Sequence, residues 1–129
     1  MEVKTHARAV HRLLGTPVHV EDDNEAEVRL EATEEMAVDE RGLVHGGFTF
    51  GLADLAAMLA VNHPNVVLGR SESRFLAPVT VGDVMMARAV VVSREGRRRE
   101  IEVKVTVGEN CVFKGAFTCY VLDRHVLER

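Results

Sequence analysis

With 129 residues, 47% of them hydrophobic and 28% charged, the chain has the composition of a folded globular protein with a real core. Its length suits a single domain, 1–129, and its formal net charge of −4 argues against a nucleic-acid-binding surface. The N-terminus, Met1-Glu2-Val3-Lys4-Thr5-His6, has no apolar leader, and the apolar run around Leu52 is shorter than the about 20 residues a bilayer span needs. The chain is therefore expected in the cytoplasm, with neither a membrane nor a nucleic acid as partner.

Thr5 to Leu14 is expected to form a short helix with Ala7, Val10, Leu13 and Leu14 on one face, ended by Gly15 and Pro17. A strand starts near Val18, and Asp22-Asp23-Asn24 is a turn. Ala26, Val28, Leu30 and Ala32 alternate with Glu27, Arg29 and Glu31, which predicts a half-exposed strand. A polar connection from Thr33 to Leu43 leads to the most apolar stretch. From Gly46 or Gly47 to Val61 this stretch is rich in Ala, Leu and Met and too long for one strand, so a helix is expected. Asn62-His63-Pro64-Asn65 stops it. Strands follow at Val66–Phe75, Val84–Val92, around Ile101–Val107 and at 111–122, joined by turns at Gly82-Asp83, Arg94–Arg97 and Gly108–Asn110. Cys111 and Cys119 are expected as free thiols on one face of the last strand, since no metal-ligand spacing accompanies them.

This order predicts an α+β fold, an antiparallel sheet wrapped around one central apolar helix. An open sheet edge invites pairing with a second copy, so a dimer is expected.

One acid, Asp54, stands alone within the apolar helix, and an uncompensated buried acid is costly. His45-Gly46-Gly47 lies where the helix begins, and helix N-termini offer unpaired N–H groups to an anion. The pairing suggests a site where negative charge develops on an oxygen beside a carboxylate.

His45-Gly46-Gly47 followed at this spacing by Leu52-Ala53-Asp54 resembles the motif of hotdog-fold acyl-CoA thioesterases of the phenylacetate-degradation type. Phe75-Leu76-Ala77-Pro78 with Gly82-Asp83 is similar to the family's strand and turn after the helix, so the resemblance runs roughly from Gly42 to Tyr120. It implies a hotdog fold, cleavage of an acyl-CoA thioester, no metal, no cofactor beyond the coenzyme A of the substrate, and a homodimer that assembles to a homotetramer.

Thioester hydrolysis puts negative charge on the carbonyl oxygen, which a helix N-terminal N–H can stabilise. Gly47 is the donor the motif suggests, and a glycine permits close approach. Asp54 acts as general base toward water or as nucleophile; the residues leave both open. Burial should raise its pKa. On a continuous helix Gly47 and Asp54 share a face but lie ~10.5 Å apart along the axis. The economical solution pairs Gly47 of one subunit with Asp54 of another.

Further candidates carry alternatives. His45 has a catalytic role, orients the turn, or only packs. Gly46 contacts substrate or shapes the turn. Asp39 stands where relatives often carry a substrate-contacting Asn, a departure from the pattern. Ser71 and Ser73 are the hydroxyls available to hold the attacking water. Phe48, with Phe50, Met58 and Phe75, is a candidate to line the acyl tunnel. Arg97, in the cluster Arg94, Arg97, Arg98 and Arg99, reads as part of a solvated hairpin or as a contact to coenzyme A phosphates. Two rival functions are a non-catalytic acyl-CoA sensor, like the hotdog effector domain of lipid-synthesis repressors, and a dehydratase or hydratase, which the missing second histidine on the helix disfavours.

Overall fold

Alternating apolar and charged residues become strands with one face in and one face out. The computed structural model describes residues 1–128. It contains β1 (Thr16–Glu21), β2 (Glu25–Glu31), β3 (Val66–Phe75), β4 (Val84–Glu95), β5 (Arg98–Val107) and β6 (Asn110–Val121). They form one antiparallel sheet in the order β1-β2-β4-β5-β6-β3. Ala26, Val28 and Leu30 of β2, Met85, Ala87 and Ala89 of β4, and Ile101, Val103 and Val105 of β5 are all buried on the inner face. The residues between them, such as Glu27, Arg88, Glu102 and Lys104, face outward and are exposed or half-buried.

The inner face curls around the central helix α2 (Gly46–Val61), which follows the four-residue helix α1 (His11–Leu14). Ten of the sixteen residues of α2 are buried, among them Leu52, Ala53, Leu55, Ala56, Met58 and Leu59. A helix apolar nearly all round needs cover on every side. Strands β2, β4 and β5 give most of it, and α1 packs on the remaining flank. This is the α+β hotdog arrangement that the resemblance implies. No helix among the described residues is long and apolar enough to cross a membrane.

Three expectations need correction. The helix expected over Thr5 to Leu14 is confined to His11–Leu14. His6 has a φ of 54°, in the left-handed region, and the chain before α1 is held by contacts to α2 instead of by helical bonds. Strand β4 runs on to Glu95, because its ladder with β5 resumes past a bulge at Val92. The two cysteines are both free, but they do not share a face. Register slips in β6 at Val112, so Val112 and Phe113 are both buried and Cys111 comes opposite the outward Thr106. The bulge carbonyl of Val112 accepts from the Leu76 and Ala77 N–H groups, which ties the Phe75–Pro78 segment to β6.

Candidate functional site

The N-terminus of α2 is built from backbone up. Val44 pairs with Ala37, Leu43 pairs with Thr80, and the His45 N–H donates to the Met36 carbonyl, so the approach to the helix is fixed on two sides. His45 is the N-cap, in extended conformation, and its Nδ1 accepts from the Gly47 N–H at 2.7 Å. A Cβ at Gly47 would lie 2.8 Å from that Nδ1, so glycine is what permits the cap. Phe48 N–H donates to the His45 carbonyl. Of these first-turn amides, the Gly46 N–H alone has no protein partner among the described residues. His45, Gly46 and Gly47 are all exposed, and Phe48 is half-buried.

Beside this turn lies a cleft of 380 Å³, lined by Val44, Gly46, Thr49, Phe75, Leu76, Ala77, Pro78, Val79 and Val112. Its rim is apolar and open, with Phe75 57% and Leu76 49% exposed. The Phe75 ring packs edge-on against buried Phe113 and approaches Gly46 so closely that a Cβ there would sit 3.3 Å away. A larger concavity of 1140 Å³ lies on the outer face of the sheet, among Glu27, Arg88, Glu102 and Lys104.

Asp54 sits seven residues after Gly47 in the unbroken helix, about 10.5 Å along the axis. The side chain is half-buried, yet its Oδ1 is shut from solvent and has no hydrogen-bond partner. Burial raises its pKa above the ordinary carboxylate range, and the charge of His6 draws it partly back. Its own charge reaches Cys119 on β6, whose thiol is pushed up to about 12 by burial first and by Asp54 and Glu100 after it. Cys119 is thus a protonated core thiol and no nucleophile at neutral pH.

The other candidates divide. Ser71 and Ser73 lie opposite Phe117 and Gly115 of β6, on the inner face, and their hydroxyls are 2.7 Å apart. They belong to β3, whose far edge is unpaired. Asp39 is exposed and turned inward on its own loop, where Oδ1 accepts from the Arg41 and Leu43 N–H groups at 3.0 and 3.2 Å. Arg97 pairs with Asp123, Arg98 with Glu100, and Arg94 and Arg99 both with Asp23. Each arginine of the basic cluster therefore has an acidic partner within the chain, with Arg94 and Arg99 sharing one. The structure brings Gly46 and Phe75 together at the cleft, with His45 capping the turn beside it, sets Asp54 further along α2, and leaves Arg97 on the β4–β5 hairpin. His6 carries no sequence signal, since a histidine in a polar N-terminal stretch has no periodicity to mark it.

The sequence matches the thioesterase superfamily over residues 41–112. Among curated proteins it is 45% identical over 124 residues to a methylthioribose-1-phosphate isomerase of Aquifex aeolicus, covering 95% of this chain and 27% of that protein. It is 29% identical over 99 residues to the transcription factor FapR of Caldanaerobacter subterraneus, covering 77% of this chain and 50% of that one. The chain thus spans 27% and 50% of the lengths of these two relatives. Among solved structures, protein PH1136 of Pyrococcus horikoshii is 52% identical with a TM-score of 0.97, covering 99% of this chain and 98% of its own. A point mutant of the phenylacetic acid degradation protein PaaI of Thermus thermophilus is 30% identical with a TM-score of 0.78, covering 87% of this chain and 97% of its own.

Proposed function

The chain belongs to the thioesterase superfamily, and from that premise we propose that it hydrolyses an acyl-CoA thioester to the free acid and coenzyme A. The observation that carries this reading is the Asp54 Oδ1, buried and without a partner on a helix whose N-terminus opens to an apolar cleft. A structural acid in a core is normally paired, because an unpaired one costs stability. An acid left unpaired, with its pKa raised by burial, is poised to accept a proton.

The step needs few groups. Water attacks the thioester carbonyl, its proton passes to Asp54, the C–S bond breaks, and the proton returns to the departing thiolate. The carbonyl oxygen, negative in between, takes the Gly47 N–H in place of His45 Nδ1, with the partnerless Gly46 N–H as a second donor. Attack by Asp54 itself would give an anhydride that water then opens. The acyl chain lies along Phe75 and Leu76 in the cleft, and the Phe48 ring stands edge-on to His45 at the same turn. Ser71 and Ser73 hold the water, and coenzyme A is consumed as part of the substrate.

Gly47 and Asp54 of one chain are too far apart along α2 to act on a single carbonyl. A homodimer joined along the free edge of β3, with antiparallel central helices, would bring Gly47 of one protomer to Asp54 of the other. It would also cover Phe75 and Leu76. A homotetramer is then two such dimers.

A second reading, an acyl-CoA sensor without turnover, is supported by the 29% identity to a transcription factor. An acyl-CoA panel with a thiol-trapping readout, run on the wild type and on Asp54→Asn, separates the two. Turnover lost in the variant supports the hydrolase. Tight binding with no turnover on any thioester supports the sensor.

A further inference from the structure

The outer face of the sheet is ordered in rows. Register places Arg88 of β4, Lys104 of β5, Lys114 of β6 and Arg74 of β3 directly beside one another, with Glu27 of β2 next to Arg88. Four basic side chains thus stand in one line across four neighbouring strands, about 14 Å from end to end. The next row along the strands is Glu25, Val90, Glu102, Ala116 and Glu72, about 7 Å away. It is acidic on β2, β5 and β3 and apolar on β4 and β6. Apart from Glu25, both rows border the 1140 Å³ concavity.

This arrangement is costly for a surface that meets only water. Like charges directly opposite on neighbouring strands repel, and here three such steps follow in succession, from Arg88 to Lys104, Lys114 and Arg74. Arg88 pairs with Glu25, and Glu72 with Arg70. Lys104, Lys114 and Arg74 form no ion pair among the described residues, and neither do Glu27 and Glu102. Apolar surface is open beside them: Val90 is half-buried, and Val92, turned outward at the β4 bulge, is 51% exposed.

We propose that this face binds the same face of a second copy of the chain, through a twofold axis that runs across the strands between the two rows. Such an axis carries each row onto the other. Lys104 of one copy then faces Glu102 of the second, and Arg74 faces Glu72, each pair formed twice. Lys114 lies over Ala116 and Arg88 over Val90, where small or apolar side chains leave room for the long aliphatic stems. Sheets packed face to face stand about 10 Å apart, a gap these side chains bridge. The two rows hold four basic and four acidic side chains, so their charges cancel. That balance suits a self-complementary partner and not a polyanion. The proposal goes beyond the hydrolase reading: it names the face on which two dimers joined along β3 meet, and it uses neither Asp54 nor the cleft.

The test is the mass of the full chain in solution, by analytical ultracentrifugation over a dilution series, for the wild type, Lys104→Glu, Glu102→Lys and the double exchange. Each single reversal sets like charges face to face and should raise the concentration at which the particle halves its mass by at least ~10-fold. The double exchange restores opposite charges and should return that midpoint to the wild-type value. A midpoint that Lys104→Glu leaves unmoved, with the fold intact by circular dichroism, overturns the proposal. So does a double exchange no better than the single reversals, or a wild type that is monomeric throughout. If Lys104→Glu does not fold, Arg74→Glu and its exchange with Glu72→Arg decide in the same way. Inorganic polyphosphate shifting the Lys104 and Lys114 amides of a monomeric wild type would assign the rows to an anion and is equally fatal. Thioester turnover does not enter, so failure of the hydrolase reading and failure of this one are read separately.

Discussion

The two ends of the central helix are opposites. Its N-terminus is exposed, starts with two glycines, and is capped by a histidine side chain at 2.7 Å. Its C-terminus is closed: Asn62, 3% exposed and at φ 50°, spends its whole amide on Lys4, Glu2 and Asp22. One end is finished with protein partners and the other keeps backbone donors near solvent, beside an apolar cleft. Asp54 lies between them, its Oδ1 shut from solvent like the closed end and without a hydrogen-bond partner like the open one. The contrast teaches that this fold anchors its helix at the end away from the proposed oxyanion site. The open end can then bind and release without loosening the core.

The comparison breaks most sharply at Asp54. Asp54→Asn should lower kcat by at least ~10²-fold with the fold intact, read by thiol release and far-ultraviolet circular dichroism. An active variant would remove Asp54 from the chemistry. Next comes the closed end. Asn62→Leu leaves the Lys4 N–H and Glu2 carbonyl without their partner and puts a bulky residue in the left-handed region. A loss of about 2 kcal/mol in denaturant unfolding is expected, with the N-terminal segment released to rapid amide exchange.

At the open end, His45→Ala should cost about 1 kcal/mol of stability by removing the cap. If the cap competes with the oxyanion, kcat falls less than it does for Asp54→Asn. A His45→Ala variant as dead as Asp54→Asn would make the histidine a direct participant.

A smaller effect concerns pH. The pKa of Asp54 is raised in the folded state, so the fold prefers the protonated acid. Its contribution to stability is complete below the ordinary carboxylate range and is lost as pH rises through the raised value. Wild type should therefore lose Tm relative to Asp54→Asn between weakly acidic and neutral pH, and Asp54→Asn should be the more stable protein at neutral pH. Equal Tm at both pH values would mean that Asp54 is well solvated. The smallest effect belongs to Arg97→Ala. An exposed pair with Asp123 is worth about 0.5 kcal/mol or less, and KM for acyl-CoA should stay within roughly twofold. A large rise in KM would restore Arg97 as a phosphate contact.

Much of the candidate site was legible. A lone acid in an apolar helix marks itself by its cost, and its spacing from Gly47 follows from the helix repeat alone. The state of those groups was not legible. That the Gly47 N–H is already taken by His45 Nδ1 depends on one rotamer, and that Oδ1 of Asp54 has no partner depends on every neighbour at once. Arg97 read as free charge because Asp123 is 26 residues away in sequence.

By itself, the sequence determined the alternation of β2, the extent of α2 and the isolation of Asp54. These follow from local rules: side chains alternate along a strand, recur every 3.6 residues along a helix, and an acid among leucines and alanines must be explained. Only the tertiary structure decided three things. A slip at Val112 sent Cys111 to the outer face. Asn62 captured the N-terminal segment and unmade most of its expected helix. Arg97 found its partner in Asp123, 26 residues further along the chain. Each rests on hydrogen bonds or register between residues distant in sequence, where local propensities of a few tenths of a kcal/mol per residue are outweighed by one buried amide with all its bonds made.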